Sequence, residues 1–443
     1  MEIKVKETSV VGPAQETPKH GLWISKLDLL DIHRAHIPLV YFYRRQPSQT
    51  ADRSYFFGSC VLKEALSKAL VAFYPLAGRL GRDENGRLQI DCNGEGVLFM
   101  EAETSCAIED DFTPSLKMRQ LVPTIDYSTS DISFYPLLLL QEFVLGIGWH
   151  HILGDGTSAF NFIKSWAEIT SGFSISVPPF IDRTILHARI PPHPTFNHIE
   201  YHPPPSMDIL ESQSSPRPTS MARFRLPLDQ INAFKAKLKN EHGATYSTFV
   251  ILAAHIWRCV CKARGLPMNQ STKLYIPIEG RSRLNPPLPL GYLGNVIFTA
   301  TPIAFAGDIQ SKPLIYTVKI IHEALKQMND EYLRSTLAYA EQRYNNMMSL
   351  EQGVPNNNCP NLRIVSWARM PIYDADFGWG SPIFMGRATI PSEGASFILS
   401  SPSNERSLSL IICLETPHME LFKKLLYTEG TALMKKYYKP SSL

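Results

Sequence analysis

The first residues alternate. In MEIKVKETSV apolar and polar positions largely exchange from one residue to the next, which predicts a strand. VYFYR, residues 40–44, is a second strand signal, dense in valine and aromatics. The period then lengthens. In VLKEALSKALVAFYPLAGRL the residues Val61, Leu62, Ala65, Leu66, Ala69 and Leu70 form one helical stripe facing a core. Pro75 ends that helix because it has no N–H to offer. RLQIDC and GVLFMEA read as successive strands, and the NGE between them, opening with Asn93-Gly94, predicts a tight hairpin. PLLLLQEFVLGIGW is the strongest apolar run. Gln141 and Glu142 interrupt it, so it reads as core strand and not as a membrane span. TSAFNFIKSWAEITSG returns to helical spacing, with Ala159, Phe160, Phe162, Ile163 and Trp166 broadly on one side and Gly172 as the stop.

Residues 173–219 break the pattern. PPFIDRT, PPHPTFNHIEYHPPPS and SQSSPRPTS are rich in proline and serine and predict a long crossover, with Phe180, Ile181 and Tyr201 able to pack. The second half starts near Arg223. DQINAFKAKLKN predicts a short helix, TYSTFVILAAHIWRCVCKARG a longer, mostly buried one, and KLYIPIEG a strand. Two helices follow around 315–329 and 331–350, then strands in LRIVSW, FILS and LSLIICL, and a last helix in HMELFKKLLYTEG. Both halves therefore mix helix and strand. The expected organisation is α/β, divided into 1–180, a crossover at 181–220, and 221–443, since 443 residues exceed one ordinary core.

Composition narrows the function. Hydrophobic residues at 44% and charged residues at 19% suit a soluble globular protein. The 44 Lys and Arg nearly balance the 41 Asp and Glu, so no net field draws in nucleic acid or an acidic membrane. The seven cysteines are scattered, no signal peptide is recognisable, and a reducing cytoplasmic setting is expected. Neither a P-loop nor a dinucleotide fingerprint occurs. His193, His198 and His202 are spaced like metal ligands but lie in the proline-rich crossover, and no metal is expected there.

The candidate chemistry is in GWHHILGDG, residues 148–156. A strand ending in histidine, a glycine-bearing turn and a helix would hold an imidazole firmly while leaving it exposed. His151 suits proton transfer near neutral pH. Asp155 has two possible uses: it orients the ring, or it turns away and holds the loop through an arginine. A salt-bridged histidine beside a tight turn fits the same letters. There is no GxSxG, and no cysteine is close in sequence, so a base at His151 would act directly on a substrate hydroxyl or amine. A second cluster, WARMPIYDADFGWGSPIFMG at 367–386, joins a turn to large aromatics and reads first as a packed loop.

HHILGDG (150–156) and DFGWG (376–380) together resemble the paired HxxxD and DFGWG signatures of the plant BAHD acyl-CoA acyltransferases. The similarity runs from residue 1 to about 427. MEIKVKETSVVGPAQETP, HIPLVYFYR, ALSKALVAFYPLAGRL, IEGRSRLNPPLPLGYLGNVIFTATP and SWARMPIYDADFGWGSPIFMG look most like the hydroxycinnamoyl-CoA:shikimate/quinate subfamily. The resemblance implies two similar mixed-sheet domains of the chloramphenicol acetyltransferase type around an interdomain channel. It also implies acyl-CoA as co-substrate and no permanently bound cofactor. Two domains already build such a channel, so a monomer suffices, and without an eighteen-residue apolar segment no membrane insertion is expected. His151 would be the general base and Trp367 an indole donor to the oxyanion. Asp155 and Gly156 would be structural, with Asp155 paired to Arg281 or Arg283, Arg283 being favoured. Asp376, Gly378, Trp379 and Gly380 would likewise be structural. Arg369 would clamp an acceptor carboxylate; without the family context it is equally an ordinary ion-pair partner.

The chain departs from the family at three places. HIPLVYFYR keeps His36 and Tyr41 on the acceptor side but has Ile37 and Leu39 where Thr and Ser hydroxyls are common. That makes a less polar hydroxy acid, an alcohol or an amine an alternative to shikimate or quinate. Before the histidines, Leu140-Gln141 runs straight into Glu142-Phe143, so a hairpin is shortened and sheet hydrogen bonds or an apolar edge could be left open. A non-catalytic relative that binds CoA esters is the reading this shortening would favour. TALMKKYYKPSSL, basic at Lys435, Lys436 and Lys439, is expected to be a loosely attached tail.

Overall fold

A computed structural model describes residues 3–29, 36–44, 58–104, 112–125, 132–141, 144–207, 217–347, 358–390, 392–402 and 407–435. The alternating first residues form β1 (Ile3–Val11), the edge of a six-stranded sheet in the order β1-β6-β7-β8-β3-β14. Its other strands are β3 (Ile37–Phe42), β6 (Val97–Thr104), β7 (Leu138–Gln141), β8 (Leu145–Trp149) and β14 (Phe384–Arg387). The last of these comes from the second half of the chain. Phe384 pairs with Phe42 and Arg387 with Leu39, so the second half supplies an edge strand to the sheet of the first.

The second sheet runs β11-β10-β13-β15-β16-β9, with β12 beside β10. It is built from β9 (Thr219–Leu226), β10 (Ser271–Glu279), β11 (Ile297–Ala300), β12 (Ile303–Phe305), β13 (Leu362–Ser366), β15 (Ala395–Ser400) and β16 (Leu408–Glu415). A small third sheet joins β2 (Gly21–Trp23), β5 (Leu88–Asp91) and β4 (Arg79–Arg82). The expected NGE hairpin is therefore not formed. The chain leaves β5 in the small sheet and enters β6 in the large one, because β6 takes β1 and β7 as partners and β5 takes β2 and β4.

The helical stripe holds. Helix Ser59–Ala72 buries Leu62, Ala65, Leu66, Ala69 and Leu70, with Val61 half-buried at its start. It stops at Ala72, and Pro75 serves inside the short turn Tyr74–Ala77. Helix Gly156–Thr170 packs against it, and the Trp166 indole donates to the Leu62 carbonyl at 3.0 Å. In the second half, helix Thr248–Ala263 buries residues all around its circumference. Helices Leu314–Lys326 and Asp330–Met347 occupy the expected region.

PLLLLQEFVLGIGW is not one strand but two. β7 and β8 pair antiparallel from Leu138–Trp149 to Gln141–Gly146, while Glu142 and Phe143 lie outside the described residues. Both strands are interior, so no sheet edge is exposed at the histidine end. β7 ends opposite Met100, and β6 continues to Thr104 against β1.

The crossover is irregular but not loose. Its described residues form only short turns at Thr184–Leu186 and Ile199–Tyr201 and a bridge from Phe180 to Tyr292. Yet Arg183 and His198 are both 0% exposed. At the other end, helix Thr416–Lys435 takes in the first residues of the expected tail, while Lys436 and Lys439 lie outside the described residues.

Candidate active site

The site is built from the end of β8. His150 takes the last ladder position: its N–H donates to the Leu137 carbonyl at 3.0 Å, and its Nδ1 accepts from the Ile152 N–H at 3.3 Å. One short turn, His151–Leu153, follows. Gly154 then takes φ +149°, and a Cβ there would come within 2.6 Å of the Ser158 side chain, so only glycine fits. Asp155 caps the next helix through its Oδ1, which accepts the Ser158 N–H at 3.2 Å. His150, Ile152, Leu153, Gly154 and Asp155 are all buried; His151 alone is half-exposed.

Asp155 turns from the imidazole toward the second half. Arg281 Nη1 donates to its Oδ2 at 2.8 Å and Nη2 to its Oδ1 at 3.0 Å, while the Val296 N–H donates to Oδ2 at 2.9 Å. Burial alone would raise this carboxyl. The Arg281 charge and the hydrogen bonds from Arg281, Val296 and Ser158 outweigh it and hold the group below its ordinary value. The partner is thus Arg281 and not Arg283. The turn after β10 sends the two arginines different ways: Arg283 is exposed and donates to the Met328 carbonyl at 2.8 Å.

Trp367 and Arg369 follow β13. The Trp367 ring stands edge-on to Phe160 at 5.6 Å and to Phe397 at 5.4 Å. A methyl placed on Gly156 would lie 3.3 Å from Met370 Sδ. Residues 367–370 therefore pack on the start of the helix that the histidine turn leads into. Arg369 is exposed and, among the described residues, makes no hydrogen bond or ion pair.

The residues expected on the acceptor side are mostly covered. Leu39 and Tyr41 are in the core, while Ile37, opposite Trp149, is half-buried. His36 is buried with its Nε2 2.8 Å from the Pro136 carbonyl and its ring edge-on to His150 at 5.2 Å. Burial pulls its pKa down to about 4, against the opposing effect of the Pro136 and Leu137 carbonyls. It is a neutral brace under the histidine pair.

DFGWG is a packed loop. Asp376 Oδ1 accepts the N–H groups of Gly378 and Gly380, each at 2.8 Å, and both glycines have positive φ. Phe377 meets Trp166 at 4.9 Å, Trp379 meets Tyr43 at 5.3 Å, and Tyr43 donates to the Ala375 carbonyl at 2.7 Å. The loop ties the second half to the far end of helix Gly156–Thr170, where the Ser171 hydroxyl also donates to the Asp376 carbonyl at 2.9 Å.

Sequence reasoning missed Asp28, Trp149, Arg183 and Asn295. All four surround the turn, and Asn295 donates to the His151 carbonyl at 2.7 Å. The only signal was Asn295's place in GYLGNVIF, since the contacts join segments far apart in the chain. His198 is explained too. Its Nδ1 is 2.9 Å from Glu200 and its Nε2 2.8 Å from Ser335 Oγ. That oxygen accepts the Thr195 and Phe196 N–H groups at 2.9 and 3.2 Å, so the buried chain pins the crossover to helix Asp330–Met347. Among the described residues no group of three or more His, Cys, Asp or Glu could hold a metal ion, and no helix is long and apolar enough to cross a membrane.

Residues 1–428 match a family model described as Transferase family. The chain is 51% identical over 442 residues to shikimate O-hydroxycinnamoyltransferase of Nicotiana tabacum, covering 96% of this chain and 100% of the relative. It is 46% identical over 446 residues to a hydroxycinnamoyl-CoA:5-hydroxyanthranilate N-hydroxycinnamoyltransferase of Avena sativa, covering 96% and 99%. The crystal structure of vinorine synthase superposes with a TM-score of 0.72 at 22% identity, covering 95% of this chain and 96% of that one.

Proposed function

The chain belongs to the Transferase family as a plant BAHD acyl-CoA-dependent acyltransferase that transfers a hydroxycinnamoyl group, and on that premise we propose that it moves p-coumaroyl or caffeoyl from CoA to a hydroxyl of shikimate or quinate. The observation that carries the mechanism is a half-exposed imidazole on a turn whose other members are buried. His151 takes the proton of the acceptor hydroxyl. The oxygen attacks the thioester carbonyl carbon, the carbonyl electrons move to its oxygen, and a tetrahedral oxyanion forms. On collapse the carbon–sulfur bond breaks, and the histidine returns the proton to the CoA sulfur. No enzyme nucleophile is required.

The Trp367 indole N–H is the proposed donor to the oxyanion. Arg369, exposed and without a partner among the described residues, is the proposed clamp for the acceptor carboxylate. Guanidinium and carboxylate pair through two parallel hydrogen bonds, which fix orientation as well as affinity. Asp155 acts on the chemistry only by holding the turn through Arg281.

A second reading is an acceptor other than shikimate or quinate. Ile37, half-buried on β3, favours it, since it presents no hydroxyl to a polyhydroxy ring, and so does the likeness to a relative named as an N-transferase. The test is CoA release by purified protein with coumaroyl-CoA and shikimate, quinate, a hydroxyphenyl-lactate or an amine, beside His151→Ala. Shikimate- or quinate-dependent release that disappears in the variant is the expected result. Release with another acceptor alone would replace the proposed acceptor. No release from folded protein would favour the CoA-ester-binding alternative.

A further inference from the structure

The carbonyls of the histidine turn are all claimed by side chains. His151 O accepts from Asn295 Nδ2 at 2.7 Å, Ile152 O from Arg183 Nη1 at 2.9 Å, and Leu153 O from Arg183 Nη2 at 2.7 Å. Gly154 O accepts from Trp149 Nε1 at 2.7 Å. The donors come from three separate parts of the chain: β8, the crossover, and the segment before β11. Four consecutive carbonyls fixed in this way leave the turn little freedom to rotate, and the side chain of His151 moves only as its backbone does.

A buried carboxylate organises the donors. Asp28 Oδ1 accepts from both the N–H and the Nδ2 of Asn295, each at 2.8 Å. Its Oδ2 accepts from the Ser25 N–H and Oγ at 2.8 Å and lies 3.3 Å from Arg183 Nη1. Asp28 and Arg183 are both 0% exposed, so each charge compensates the other. The amide of Asn295 has one orientation here. Its nitrogen faces two acceptors, the Asp28 carboxylate and the His151 carbonyl. Arg183 also donates through Nε to the Leu293 carbonyl at 2.9 Å, so one planar fork binds three carbonyls from two segments. A lysine at this position presents a single point and cannot do the same.

We propose that Asn295 and Arg183, held by Asp28, are positioning residues for His151, setting the imidazole's place by clamping the carbonyls of its turn. The inference rests on the general-base role of His151 and extends it. A base displaced by about 1 Å can lose on the order of 100-fold in rate while binding is little changed.

The experiment measures kcat, KM for acyl-CoA, and the pH profile of kcat/KM for Asn295→Ala and Arg183→Lys, with rates per folded molecule and His151→Ala in parallel. The expected result is a kcat loss of about 10- to 100-fold with KM for acyl-CoA within about twofold, and a displaced acidic limb of the pH profile. Asp28→Asn, at a carboxylate that bonds Asn295, Ser25 and Arg183 but none of the turn's carbonyls, should show the same kcat loss through Asn295 and Arg183. A purely structural role would lower the unfolding midpoint and leave kcat, KM and the pH profile of the folded fraction at their original values. That result overturns the inference. Where Asn295→Ala does not fold, Arg183→Lys carries the same decision. Full activity in His151→Ala would instead overturn the general-base reading, so the two failures are distinguishable.

Discussion

Replacing Arg281 by Met should be one of the most damaging single changes at the domain boundary, and replacing Arg283 should do little. The Asp155 side chain is 1% exposed and the Arg281 side chain 12%, so solvent screens the pair weakly. Asp155 keeps only the Ser158 and Val296 N–H groups once the guanidinium is gone. Removing one partner of a buried pair strands the other charge and costs about 3–5 kcal/mol. Arg283 is exposed and donates only to the backbone carbonyls of Leu325 and Met328, so its loss should cost at most about 1 kcal/mol. Urea unfolding followed by tryptophan fluorescence measures both, with Trp149 and Trp166 buried in the first half as reporters. The pH dependence gives a second sign. With Arg281 present the Asp155 pKa is depressed, so its contribution is full above the unfolded value and is lost as pH falls through the folded one. Without Arg281, burial dominates and raises the folded pKa above the unfolded value. Folding then takes up a proton, a gain that is full at low pH and lost as pH rises through the folded pKa. The deficit of Arg281→Met relative to the parent should therefore shrink from pH 7 toward pH 5. Equal costs for the two arginines, or a deficit that grows on acidification, would refute the assignment.

Two further outcomes follow from the site. His36 has a folded pKa of about 4 against an ordinary 6.5, so the parent loses about 3 kcal/mol of stability as pH falls between those values, and unfolding titrations of His36→Gln should show a slope shallower by one proton. Trp367→Phe keeps an aromatic ring against Phe160 and Phe397 but removes the indole N–H; kcat should fall about 100-fold or more with the fold intact by circular dichroism, and an unchanged kcat would remove Trp367 from the mechanism.

Much of the scaffold was legible because it depends on local period. The Leu62–Leu70 stripe, the amphipathic helix after the histidines, and the buried helix at 248–263 all follow from spacing that any helix must obey. The hairpin expected at Asn93-Gly94 was misread because turn residues permit a reversal without choosing which sheet the next strand joins. That choice belongs to β1 and β7, which pair with β6. Asp155 was legible as a loop-holding residue, but its partner was not. Arg281 and Arg283 differ in sequence by one intervening residue, and only the path of the turn after β10 separates a buried bidentate pair from an exposed capping arginine.

The sequence alone determined where strands and helices form and which histidine ends a strand before a glycine turn, because neighbouring residues decide those matters. It also carried the paired motifs that identify the family. Tertiary structure decided the rest. It gave β14 to the first half's sheet, turned Asp155 toward Arg281, and brought Arg183 and Asn295, with Asp28 behind them, from distant segments onto the carbonyls of one turn. Those contacts have no local period to read, since a buried polar group takes whichever partner the fold delivers, however far away it lies in the chain.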